Sequence, residues 1–189
     1  SIRALTISSG LSLVETATIA AREVGDASLV TDEASGKHFF GAATDFISYT
    51  WHGISFQNLC ECLLAQGGST DSPASLWVDV FAVTQHSNTP RAHSNNQADL
   101  NFERVIDATS RLRAVMMPWS DPKMLRRCWC LREIQLAIAG GKAIDVVLRP
   151  QEEAQFRPTA RANFHSIFST MVALIDSEQA QATRAEDAG

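Results

Sequence analysis

Leu112-Arg113-Ala114-Val115-Met116-Met117, the helical stretch from Pro122 to Ala139, and Ala143-Ile144-Asp145-Val146-Val147-Leu148 together decide how this chain folds. The two flanking segments are short and apolar, and each is stopped by a proline, Pro118 and Pro150. Between them Ser120-Asp121 supplies a capping side chain, Pro122 a first helical residue and Gly140-Gly141 a stop, so one helix is predicted over 122–139. Strand, helix and strand joined by short links make a parallel pair with a right-handed crossover, because a hairpin leaves no room for the helix.

The same alternation extends toward the N-terminus. Asp45-Phe46-Ile47-Ser48-Tyr49-Thr50 and Leu76-Trp77-Val78-Asp79-Val80-Phe81-Ala82-Val83 read as buried strands bounded by small or polar residues. Helical spacing links them: residues 54–66 carry Ile54, Leu59, Cys62, Leu63 and Leu64, and residues 99–110 carry Leu100, Phe102, Val105, Ile106 and Ala108. After Pro158, Phe164, Ile167, Phe168, Met171, Leu174 and Ile175 predict a last amphipathic helix. The expected fold is α/β, an open parallel sheet of four evident strands, or five, with helices on both faces. Residues 1–43 read as an N-terminal extension without comparable order, in which Leu11 to Val24 has helical spacing; 44–178 read as the α/β domain, and 179–189 as a polar tail or linker. The absence of a starting methionine and the polar end suggest a piece of something longer.

With 189 residues, 45% hydrophobic and 20% charged, the composition is globular. A net charge of -5 argues against a general nucleic-acid binder, which needs a basic footprint. No apolar run is long enough for a membrane span, and residues 1–30 lack the pattern of a signal peptide. Cys60/Cys62 and Cys128/Cys130 have C-x-C spacing, not that of a structural zinc site, and read as reduced thiols of an intracellular, cytoplasmic protein; no metal is expected. Arg111, Arg113, Lys123, Arg126, Arg127 and Arg132 surround a single acid, Asp121: either a solvated basic face or a site for a phosphate or an acidic partner surface.

In open α/β sheets ligands sit beyond the carboxyl ends of the strands. Trp51 and His52 follow the first strand there, Asp79 and Phe81 lie toward the end of the second, and the helix of Glu133 begins at the same edge. Glu133 is one helical turn after Trp129, and its helical neighbours Cys130, Leu136 and Ala137 cannot pair with a negative charge. A carboxylate on that apolar stripe takes a partner from elsewhere or is kept for a ligand. Residues 84–98, polar throughout, leave the same edge as a lid or a surface insertion. Dinucleotide-binding, P-loop, nucleophile-elbow and zincin motifs are absent from the chain.

Phe46-Ile47-Ser48-Tyr49 resembles the first-strand box of Toll/interleukin-1 receptor (TIR) domains, and Trp129-Cys130-Leu131-Arg132-Glu133-Ile134 resembles their W-C-x-x-E-[LI] helix motif. Leu76 to Gln85 is similar to the W-[IV]-D-x-x-x-[IV]-x-Q signature of heterokaryon-incompatibility domains. The resemblance covers residues 45 to about 148 and implies a flavodoxin-like sheet and a role in immune, stress or cell-death signalling. It further implies cleavage of the nicotinamide-ribose bond of NAD or NADP, with NAD as substrate and no other cofactor. Glu133 would then be catalytic and Trp129 a wall for the nicotinamide, with Trp51, His52, Asp79 and Phe81 candidates for binding the rest. Alternatively the domain is a non-catalytic interaction module that associates with itself or with other TIR-like domains. Two departures stand out: the glycine-bearing loop usual after the second strand is replaced by the polar stretch 84–98, and a clear fifth strand after Pro150 is missing.

Overall fold

A computed structural model describes residues 5–6, 9, 11–51, 53–65, 74–86 and 102–175. β1 (Asp45–Ser48), β2 (Leu76–Trp77), β3 (Arg111–Val115) and β4 (Ala143–Val147) form one open parallel sheet, as expected from the sequence, in the order β2-β1-β3-β4. The register sets Phe46 beside both Trp77 and Leu112, and Leu112 beside Ile144. The helices are α1 (Leu13–Val24), α2 (Phe56–Ala65), α3 (Asp79–Ala82), α4 (Phe102–Ala108), α5 (Cys128–Ala139) and α6 (Pro150–Leu174).

Alternation along β1 builds two cores. Phe46 joins Leu112, Ala114, Ile106, Cys130 and Ala137 on the face covered by α4 and α5. Ile47 joins Val115, Val147, Leu59 and Cys62 on the face covered by α2. The first core is extended by a chain of rings: Phe46 stacks on Trp77 at 4.8 Å, Trp77 meets Phe102 edge-on at 5.7 Å, and Phe102 meets Trp129 at 5.4 Å. Between the start of β1 and the middle of β3, the Arg113 guanidinium donates to Asp45 at 2.5 Å, with both side chains buried.

Three expectations are corrected. The second strand ends at Trp77, and Asp79–Ala82 is a turn of helix closed by Ala82 N–H donating to the Val78 carbonyl, so Asp79 and Phe81 belong to α3. The helix expected over 122–139 is two pieces: a 3-10 turn, Lys123–Arg126, then extended backbone at Arg127 (φ -109, ψ 121), then α5. Consecutive residues Met124 and Leu125 are both buried, which the tighter turn allows, and the break at Arg127 re-aims α5 so that Cys130, Glu133 and Ala137 face the sheet. The last helix starts at Pro150, well before Pro158, and runs through that proline; the non-helical residue is Asn163. Pro150 takes the first helical turn, where its missing N–H costs nothing, and Pro158 lies on an exposed stretch.

The helix in the N-terminal extension is present. Ser12 and Glu15 form a reciprocal capping box at the start of α1, and Gly25 ends it with φ 71, a value glycine adopts without strain. Leu11, Ser12 and Ala21 are buried, α1 packs against α3, and Thr6 Oγ1 is hydrogen-bonded to His86 Nε2 at 2.8 Å. Among the described residues, no helix is long and apolar enough to cross a membrane.

Candidate functional site

Ser48 is the last residue of β1 and, two positions after Phe46, faces α5. Its hydroxyl is fully buried and donates to Glu133 Oε2 at 2.5 Å. That is the partner Glu133 cannot find on its own helix. Glu133 is 9% exposed and lies one and a half turns into α5. Burial pushes its carboxyl up to about 8, opposed by the Ser48 hydrogen bond and reinforced by the negative charge of Asp79.

Asp79 opens α3 beyond the end of β2. Its Oδ1 accepts from the Tyr49 hydroxyl at 2.6 Å and from the Val80 N–H at 2.6 Å, and its Oδ2 accepts from Trp51 Nε1 at 2.7 Å. Burial raises its carboxyl above the usual range, against those three donors, which favour the charged form. Burial likewise raises the Tyr49 phenol and the Cys130 thiol, the thiol donating to the Tyr49 carbonyl at 3.5 Å. The carboxyl edge of the sheet thus holds two carboxyl groups in electrostatic reach of each other, one almost sealed and one tied to two aromatic side chains. Pairs of acids in unlike environments are suited to divided proton roles.

The sequence-predicted residues are distributed as follows. Glu133, Asp79 and Trp51 come together at the edge, Trp51 being 55% exposed. The Trp129 ring is half-buried and packs against Phe102, at the end of the ring chain that runs through the core. Phe81 lies against Phe56 of α2 at 5.8 Å, on the other face. His52, and residues 87–98 of the expected lid, lie outside the described residues. The residues that sequence reasoning passed over are Ser48, Tyr49 and Cys130. The signal for Ser48 was a small polar residue in a fully buried strand, in register with the face that receives Glu133.

No family model matches this chain, and no curated protein and no solved structure matches it either.

At least five of the six basic side chains of the segment 111–132 are paired locally. Arg111 pairs with Asp145 at 2.7 Å, Arg113 with Asp45, Lys123 and Arg126 both with Asp121, and Arg132 with Glu103 at 3.2 Å. These pairs span the sheet and adjoining helices rather than forming one unopposed basic face. Gly53, at φ 92, turns the chain after β1 and brings its Cα side toward Lys123, where an added Cβ would meet the lysine stem at 3.5 Å. Among the described residues, no group of three or more His, Cys, Asp or Glu side chains is placed to hold a metal ion.

Proposed function

We propose that this chain is a TIR-like signalling domain that cleaves the nicotinamide-ribose bond of NAD or NADP through Glu133. The observation that carries the reading is the placement of two carboxyls, Glu133 held by Ser48 and Asp79 held by Tyr49 and Trp51, at the carboxyl edge of a parallel sheet, where ligands of such sheets bind. In the reaction the C1′–N1 bond breaks with its electron pair going to nicotinamide, which leaves neutral. The ribose gains oxocarbenium character, a water oxygen bonds to C1′, and the water's proton is released. An ionised Glu133 would stabilise the positive ribose and accept a hydrogen bond from its hydroxyls. With its carboxyl pushed up to about 8 by burial, Glu133 is mostly protonated at neutral pH in the free protein; a cationic pyridinium beside it favours loss of that proton.

A specific observation favours a second reading, a non-catalytic interaction module that binds similar domains. Glu133 is only 9% exposed and tied to Ser48, as a structural anchor between α5 and β1 would be. The deciding experiment is nicotinamide release from NAD by concentrated or artificially clustered protein, with Glu133→Gln as its pair. Release that falls at least about 100-fold in a folded Glu133→Gln variant supports the enzyme. No release by the parent at any degree of clustering rejects it in favour of the module.

A further inference from the structure

We infer that Asp79 is a positioning residue that pins the Trp51 indole as a stacking platform for a planar nucleotide ring at the mouth of the Glu133 site. The inference rests on reading that edge as a ligand site, and it assigns Asp79 a different task from contacting the ligand.

The hydrogen-bond inventory of Asp79 makes the case. A carboxylate offers about four lone-pair positions, and Asp79 has committed three: to the Tyr49 hydroxyl, the Val80 N–H and the Trp51 indole N–H. Little capacity remains for ribose hydroxyls. What the carboxylate does instead is fix two aromatic side chains that follow one another closely at the end of β1. Tyr49 is held inward, against the core on the α2 face. Trp51 is held by its N–H, with 55% of its surface open to solvent.

That exposure sets Trp51 apart from the other tryptophans. Trp77 is stacked on Phe46, Trp119 packs against Phe156 at 5.6 Å and Trp129 against Phe102, all three half-buried. An indole whose orientation is fixed by a 2.7 Å bond while its ring stays open has lost rotational freedom without gaining burial. A planar ring laid on it would recover the missing contact, and a cationic ring would gain further from the indole face. Ser48, which holds Glu133, and Tyr49 and Trp51, which hold Asp79, follow one another at the end of β1, so the platform and the acid sit at the same edge of the sheet. Nicotinamide and adenine share the needed chemistry, a flat heteroaromatic ring carried on a ribose phosphate.

The test uses the full chain with Glu133→Gln, so that no turnover interferes, and titrates it calorimetrically with NAD, nicotinamide mononucleotide and AMP. Trp51→Ala is expected to weaken at least one of the three by about 5- to 100-fold, the range of base–aromatic stacking. Loss confined to the mononucleotide and NAD assigns the ring to nicotinamide; loss confined to AMP and NAD assigns it to adenine. The positioning role is read separately, by the indole N–H resonance that disappears in Trp51→Phe. In Asp79→Asn that resonance should move while those of the other three tryptophans stay, which also reports an intact fold, and binding should weaken about twofold to tenfold. Binding of all three probes unchanged by Trp51→Ala, an unmoved Trp51 resonance in Asp79→Asn, or no binding of any probe overturns the inference. Trp51-dependent binding without nicotinamide release from the parent chain sustains it while rejecting cleavage. Release that persists in Trp51→Ala with unaltered KM does the reverse.

Discussion

Glu133 carries its chemistry through its proton, and the groups around it push that proton in opposite directions. Burial and the Asp79 charge hold it on, whereas the Ser48 hydroxyl favours its loss. If ionised Glu133 is the working form, kcat/KM for nicotinamide release rises with pH and levels off above about 8, the acid limb of the free protein. Ser48→Ala removes the stabilising hydrogen bond and should move that limb to higher pH. Asp79→Asn removes a neighbouring negative charge and should move it to lower pH. Both variants shifting the limb in the same direction, or neither shifting it, would show that another group controls the profile. At this scale the sequence was half legible. Spacing along a helix singled out Glu133, because an acid among Cys130, Leu136 and Ala137 breaks an apolar stripe. Ser48 was not singled out, because it is paired with Glu133 across 85 positions of sequence and only the β1–α5 packing brings the two together.

At the scale of elements, three strands lie within two residues of their sequence limits, since buried parallel strands are short apolar runs and their stops are local. β2 was misjudged because Val78 to Val83 is equally apolar in either conformation. What decides it is tertiary: the end of β1 supplies Tyr49 and Trp51 as donors to Asp79, and these hold the turn that starts α3. The Asp45–Arg113 pair is a second tertiary feature that the strand patterns concealed. Its two side chains are buried between the adjacent strands β1 and β3, so removing the acid leaves a buried guanidinium without that counter-charge. Asp45→Ala is expected to cost about 3 kcal/mol or more in urea unfolding. Ser12→Ala, which breaks the capping box of α1, should cost about 1 kcal/mol. A loss under 1 kcal/mol at Asp45 would mean that the pair is not the buried link between β1 and β3 that its geometry indicates.

For the molecule as a whole, the raised Glu133 carboxyl ties stability to pH. Its ordinary value is 4.5 and its folded value about 8. Between those limits the unfolded chain has lost this proton and the folded chain keeps it, so the folded state binds more protons and stability falls as pH rises. The stabilisation from a neutral Glu133 is complete below about 4.5 and gone above about 8, where folding must bury a charged carboxylate beside Asp79. Glutamine keeps the shape and can accept from Ser48, but it does not titrate. Urea midpoints of the parent and of Glu133→Gln, measured together from pH 5 to 8.5, should therefore diverge in favour of glutamine as pH increases. All other titrating groups, Asp79 included, are common to the two chains and largely cancel in the difference. Parallel curves would mean that Glu133 ionises in the folded protein much as it does unfolded. The acid limb expected near 8 would then have to disappear from the rate profile as well, because one proton governs both measurements.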